Sequence, residues 1–378
     1  MSWNRRHSDD ELLAALKEHG GIHQASRAIG LNRRSFQRRM VTLRSRGWSP
    51  EFDQKHPVPE GQIVAGVSTY YDDEGKVRGQ WVKSRADLDQ LRQAMLECVK
   101  AMAEDVRGLG RPVRAPRKGL DNSLSAYLIG DAHFGLYAWS EEAGEDFDTA
   151  IASRDLRAAI DLLVSGAPAS AVGYLVDVGD FLHADSRRAA TPQSGNQLDV
   201  DTRFQKVIRI ALEALKYCVA RMLLKHKRVH LFVRPGNHNP DAAGWMALVL
   251  SAYYERDKRV TVEMSPAEYV YARFGSVLIG ITHGDRVKMQ ELPSIMASDR
   301  ATDWGETKHR YWWTGHIHHT THQEYRGCFV ESFNTLAGSD AWHRASGYRS
   351  VRQMQRIDID AEHGIYSRGI ANIGMLHG

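Results

Sequence analysis

Five times between residues 125 and 318 a short apolar run is closely followed by a cluster of Gly, Asp, His and Asn. The clusters are Gly130-Asp131-Ala132-His133, Gly179-Asp180-Phe181-Leu182-His183, Gly236-Asn237-His238-Asn239, His283-Gly284-Asp285 and Gly315-His316-Ile317-His318. The runs before them, Ser125 to Ile129, Gly173 to Val178, Val229 to Val233, Val277 to Ile281 and Tyr311 to Thr314, have strand length and strand composition. Tyr269 to Phe274 reads as a further strand, and helical periodicity recurs near 151 to 164, 202 to 225 and 287 to 298. Strands alternating with helices predict an α/β layered domain from about Leu120 onward. Such folds collect their sites where the chain leaves the strand ends, so the clusters are expected to meet. One Asp, His or Asn in a loop is usually a cap or a turn residue. Five clusters in series are not explained that way.

The clusters offer carboxylate and amide oxygens and imidazole nitrogens, with no thiolate. That donor set suits divalent cations, Mn2+ first, with Fe2+, Zn2+ or Ni2+ as alternatives. Asp131 with His133, and His316 with His318, are two residues apart. In extended backbone both members of each pair project the same way.

The order and spacing resemble the calcineurin-like metallophosphoesterase superfamily over residues 120 to 378. The resemblance implies a four-layer α/β/β/α sandwich of two mixed sheets, in residues 119 to 378. Carried over residue by residue, it places Asp131, His133, Asp180 and His318 on one cation, and Asp180, as a bridge, with Asn237, His283 and His316 on the other. A bridging carboxylate holds two cations about 3.5–4 Å apart, where they clamp an in-line phosphoryl displacement and activate a shared water. His238 then stands beside the cations, to stabilise the transition state or protonate the leaving alkoxide. The His183 pattern is similar to the SbcD-type DNA repair nucleases, in which a His here orients the scissile phosphate. Protein phosphatases of the superfamily continue the second Gly-Asp with Asp-Arg-Gly instead. The resemblance therefore favours phosphodiester hydrolysis.

The third motif usually continues with an acid that bonds the catalytic His, and here Asn239 stands in its place. Asp241 is the candidate substitute, and Asp285 is read as support for His283. Sixty residues follow His318, which leaves no room for both the capping region and the ATPase-gripping segment of SbcD-type nucleases. No ATPase partner is expected. His319 is expected to face away from the cluster, and His19, His23, His226 and His230 are expected at the surface or at interfaces.

The formal charge of the 378-residue chain is +4, but residues 1 to 50 alone carry ten basic and four acidic side chains. Ser8 and Asp9 can cap a helix with Leu12, Leu13 and Leu16 inward. A second helix with Ala25, Ala28 and Ile29 inward follows, then a turn at Gly30 and a third helix, capped by Asn32, with Phe36, Met40 and Leu43 on one face. Gly30 to Met40 resembles the recognition half of the Fis-type helix-turn-helix. Arg33, Arg34, Gln37 and Arg38 fall on the polar face of the third helix, where phosphates and base edges are met. A solvated three-helix cap or a dimerisation module would share the apolar pattern, but the charge favours duplex DNA. Helix-turn-helix proteins often dimerise, so a homodimer is open.

Residues 51 to 118 read as a linker holding a hairpin (Ile63 to Tyr71, Lys76 to Lys83), an amphipathic helix over 85 to 105 and an exposed basic stretch from Arg107 to Lys118. The helix is expected to turn Leu88, Leu91, Met95, Leu96 and Val99 inward. Three dispersed cysteines, no apolar leader and no membrane-length apolar run point to a cytoplasmic protein with no membrane partner. The expectation is a DNA-directed, metal-dependent nuclease. The alternatives are a phosphoesterase acting on small phosphate esters or cyclic nucleotides, tethered or regulated by its helices, and a non-catalytic DNA-binding regulator with a structural metal site.

Overall fold

The computed structural model describes residues 7–45, 62–73, 77–117, 119–347 and 349–376. The chain divides into two compact units, Met1–Cys98 and Val99–Gly378.

In the first unit α1 (Asp9–His19), α2 (Ile22–Ala28) and α3 (Arg33–Ser45) enclose Leu12, Ala15, Ala25, Phe36, Met40 and Leu43. Ser8 and Glu11 form a reciprocal capping box at the start of α1. Gly30 takes φ +65, a left-handed turn open to glycine, and the Asn32 side chain accepts from the Arg34 N–H at 2.9 Å. Ala28, expected inward, is exposed, and Ser26 takes the buried place with its hydroxyl bonded to the His23 carbonyl. Arg39 is tied to Asp9 and the His7 carbonyl, whereas Arg33, Arg34, Gln37 and Arg38 are exposed along α3.

Strands β1 (Gln62–Tyr71) and β2 (Val77–Ala86) pair antiparallel, and the centre of their expected turn lies outside the described residues. Helix α4 (Leu88–Asp105) follows. Val99 is buried as expected, but Leu96 is exposed, and Leu88, Leu91 and Met95 fall outside the described side chains.

In chain order the second unit carries β3 (Leu120–Ile129), α5 (Ser140–Ala143), α6 (Thr149–Ser165), β4 (Ser170–Asp177), α7 (Phe204–Leu223), β5 (Arg228–Val233) and α8 (Ala242–Tyr253). Then come β6 (Val260–Val262), β7 (Val270–Phe274), β8 (Val277–Ile281), α9 (Leu292–Asp299), α10 (Ala301–Glu306) and β9 (His309–Thr314). The chain closes with β10 (Thr321–Glu324), β11 (Phe329–Ser332), α11 (Ala341–Ala345), β12 (Gln353–Asp360), β13 (Gly364–Asn372) and α12 (Ile373–Leu376).

One mixed sheet runs β13-β12-β3-β4-β5-β6 and the other β10-β11-β9-β8-β7. Strands β3 to β6 are mutually parallel, as are β8, β9 and β11. The two sheets face each other across a core of Leu124, Leu128, Val176, Ile279, Trp313 and Ile357 among others. Alternation along β9 sends Trp313 into that core and Trp312 to the opposite face, against Leu292 and Met296 of α9. Helices α6 and α7 pack beside the six-stranded sheet, completing an α/β/β/α sandwich.

Two expectations are corrected here. The basic stretch is not a loose linker: the Gly108 and Gly110 N–H groups bond the Ala252 and Tyr253 carbonyls at 2.8 and 2.9 Å, and Arg107 pairs with Glu104 and Glu255. Arg111, Arg114 and Arg117 remain exposed. His226 is fully buried, held between Tyr127 Oη (2.8 Å) and Ser170 Oγ (2.7 Å), and burial pushes it down to about 4. Among the described residues no helix is long and apolar enough to cross a membrane.

Candidate metal centre

Five strands, β3, β4 and β5 of one sheet and β8 and β9 of the other, release the chain into the loops that carry the sequence clusters. The loops bring the expected ligands together in two sets, and a third group, His133 with His183 and His238, overlaps the first. Asp131, His133 and His318 form one, with His133 Nε2 3.3 Å from His318 Nε2 and His318 Nε2 3.5 Å from Asp131 Oδ1. Asp180, His283 and His316 form the other. His283 Nε2 lies 3.2 Å from Asp180 Oδ2 and 3.1 Å from Asn237 Oδ1, and His316 Nδ1 is 2.9 Å from the same Asn237 oxygen.

The donor orientations fit a cation. The Val178 carbonyl can only accept, so His283 Nδ1, 3.1 Å away, carries a proton and donates it. That bond leaves Nε2 facing two oxygens, where either a second proton or a metal ion is needed. Burial disfavours charge on this imidazole, yet the carboxylates of Asp180, Asp131 and Asp285 outweigh it and push His283 up to about 10. Burial also works against the charge of Asp180, but His283 and the His238 N–H (2.8 Å) hold that carboxyl down at about 2. Asp131 is pushed up to about 7, first by burial and also by Asp180, against the pull of His283 and the His316 N–H. Two buried carboxylates facing imidazole nitrogens and an amide oxygen are a pocket that calls for positive charge. Asp131, His133, Asp180, Asn237, His283, His316 and His318 are the residues that would hold it.

The backbone is bent to make this arrangement. Among the described residues six other than glycine have positive φ, and five of them are Asp131, His133, Asp180, His316 and His318, at +35 to +67. Such conformations cost on the order of 1–3 kcal/mol each and persist where the surrounding structure enforces them. The pairs therefore do not sit in extended backbone. Asp131 and His133 still share one donor set, but His316 and His318 are divided between the two. Close approach also requires glycine: a Cβ at Gly236 would lie 2.2 Å from Asp180 Oδ1, and one at Gly315 would lie 2.6 Å from Asp131 Oδ2.

His238 is held differently from the expectation. Its Nδ1 donates to the His183 carbonyl at 2.9 Å, so Nε2 is the nitrogen free to exchange a proton. Asn239 is buried with neither amide atom hydrogen bonded, and Asp241 is an exposed residue at the start of α8. The Asn239 amide therefore does not bond His238. Asp285 pairs with Arg286 at 3.4 Å and reaches His283 through its charge. His183, buried, has Nδ1 3.3 Å from His133 Nδ1. His319 is exposed and turned to the Ile317 carbonyl. A cavity of about 720 Å3 opens over the centre, lined by His133, Asp180, His183, Asn237, His238, His318 and also His319, together with residues between Thr191 and Asp199 of the loop after β4.

Three supporting residues escape a reading by motif. Asp177 is buried beside the two carboxylates, receives the Gly179 N–H at 3.0 Å, and is driven well above the usual carboxyl range by burial. Asp185 accepts the Ala242 N–H at 2.7 Å and so ties the loop after β4 to α8. Thr335 Oγ1 donates to the Asp131 carbonyl at 2.7 Å. Asp177 and Asp185 flank the second cluster at close range, which was their only visible signal.

No family model and no curated protein matches the chain. Among solved structures it is similar to an archaeal phosphodiesterase at 11% identity, covering 65% of this chain and 99% of that one, with a TM-score of 0.33. It is similar to vacuolar protein sorting 29 from Cryptosporidium parvum at 18% identity (66% and 97% covered, TM-score 0.31). For Vps29 from Entamoeba histolytica, complexed with zinc, the identity is 12% (66% and 99% covered, TM-score 0.27). Likenesses this distant do not extend to activity.

Proposed function

We propose that the chain is a dinuclear metal-dependent phosphodiesterase that hydrolyses DNA and is directed to it by the three-helix unit. The observation that supports this most is the pair of adjoining donor sets, all oxygen and nitrogen, under one open cavity that His183 and His238 also line. Two divalent cations bound there would polarise a phosphodiester and lower the pKa of water. The chain's own groups do the rest. Asp180 brings negative charge to the cavity lining, and the carbonyl of His183 fixes the tautomer of His238. His238 Nε2, which carries the lone pair in that tautomer, would take up a proton from water and pass it to a departing alkoxide. His183, whose ring stacks on that of His238, would bond a non-bridging phosphate oxygen.

The deciding comparison, with Mn2+, sets linear duplex, single-stranded and circular DNA against cyclic nucleotides and simple phosphomonoesters. Cleavage of DNA is expected; cleavage of the small substrates alone overturns the reading. The targeting role is tested on α3. Arg34→Ala with Arg38→Ala is expected to weaken duplex binding and to lower the log–log salt slope by about one for each phosphate no longer neutralised. Hydrolysis of a small chromogenic diester should not change. Duplex affinity and salt slope equal to those of the parent chain would remove α3 from the DNA surface.

A further inference from the structure

Next to the metal centre lies a second cavity, of about 690 Å3, lined by Phe134, Gly135, Ala184, residues between Ser186 and Ala189, and Val200 with residues of the N-terminal part of α7. Arg187, Arg203, Lys206 and Arg209 line it, and no carboxylate does. All four are exposed, and none has an ion-pair partner among the described residues. With the Gln205 amide turned so that its oxygen faces the guanidinium, Arg187 is steadied instead by that neutral oxygen, at 2.7 and 2.6 Å. Elsewhere in this unit Arg107, Lys216, Arg221, Lys227, Arg273 and Arg352 each face a carboxylate. Four unneutralised cations around one concavity repel each other in the absence of an anion.

The wall between the two cavities is one backbone thick. His133, His183 and Asp199 line the metal cavity, while their immediate neighbours Phe134, Ala184 and Val200 line the cationic one. Backbone bonds brace the wall: the Asp201 N–H bonds the Gly135 carbonyl at 2.9 Å, and the Tyr137 N–H bonds the Asp199 carbonyl at 3.1 Å. Gly135, at φ +98, lets Val207 of α7 close against it; a Cβ there would lie 3.0 Å from Val207.

We infer that the cationic cavity binds the phosphates flanking the scissile bond, so that Arg187, Arg203, Lys206 and Arg209 select a polynucleotide strand over a small diester. The inference rests on the phosphodiesterase reading. A phosphodiester strand carries a negative charge every few ångström, so a strand seated at the metal centre has its next phosphates within reach of the neighbouring cavity. Arg presents a planar fork matched to phosphate oxygens.

The test uses the full chain with Mn2+, a single-stranded dinucleotide, an octanucleotide and a chromogenic phosphodiester. The parent chain is expected to favour the octanucleotide over the dinucleotide by about tenfold in kcat/KM, the more so at low salt. Arg203→Ala with Lys206→Ala and Arg209→Ala should treat both alike and hydrolyse the chromogenic diester unchanged. Arg203→Lys with Arg209→Lys keeps the charge and should keep the preference. A triple variant with the parent's length preference, or one that loses the chromogenic activity in parallel, overturns the inference. Should the parent chain cleave the small diester but no oligonucleotide, the DNA reading fails, and the cavity is judged by fluorescence anisotropy of a labelled octanucleotide. Binding about tenfold weaker in the triple variant then upholds the cavity; equal binding, or tighter binding of an acidic octapeptide, overturns it.

Discussion

Asp180→Asn is expected to lower Mn2+-dependent hydrolysis by more than roughly 100-fold, because even residues that only orient a metal ligand cost about 10–100-fold when removed. The substitution keeps the shape and removes the charge. The amide oxygen can still accept the His238 N–H now held at 2.8 Å, and the amide nitrogen can donate to His283 Nε2, so the metal-free fold has a partner for each group. Calorimetry separates folding from metal binding. The parent chain should melt at higher temperature as Mn2+ is added, since a ligand that binds only the native state stabilises it by mass action. The variant should melt at nearly the same temperature with and without the metal. Parent-level hydrolysis in the variant would take Asp180 out of the centre.

Gly236→Ala is expected to damage the site without touching a single polar group. A methyl there would stand 2.2 Å from Asp180 Oδ1 and 2.6 Å from the Asp180 nitrogen, so the carboxylate or its loop must move. Overpacking of this kind costs about 1–3 kcal/mol, which lowers Tm by several degrees in a unit of this size. Metal affinity and hydrolysis should fall by about 10–100-fold with it. Gly244→Ala is the companion. That glycine lies in α8 with nothing within 4 Å of the added methyl, so stability should hold or rise by about 0.4–1 kcal/mol. If Gly236→Ala retains full activity, the close packing around Asp180 is not what sets the centre.

The sequence was most legible where local pattern and global role agree. Strands β3, β4, β5, β8 and β9 are short apolar runs that end in polar clusters, and they fold as such. Strands β10 and β12 were not seen, and their composition explains why. Thr321–Glu324 is polar throughout, and in Gln353–Asp360 the core residues Ile357 and Ile359 alternate with Arg356 and Asp358, which are buried as a bonded pair, so the charges mask the apolar face. Helix α8 is buried along much of its surface and lacks the one-sided stripe that reveals a helix. At the site, donor identity was legible and orientation was not. The partner of His238 is the backbone carbonyl of His183, a group every residue possesses. The cations of the second cavity are scattered from residue 187 to 209, and only the fold gathers them.

The left-handed backbone at Asp131, His133, Asp180, His316 and His318 has a consequence for how such a chain can change. Glycine is the residue those angles favour, and glycine carries no donor. Selection for stability alone would therefore erode the centre, trading ligands for relaxed turns. A side chain persists at each of these positions only while its function is under selection, so drift toward glycine at them in a descendant would mark the loss of catalysis before any change in the fold.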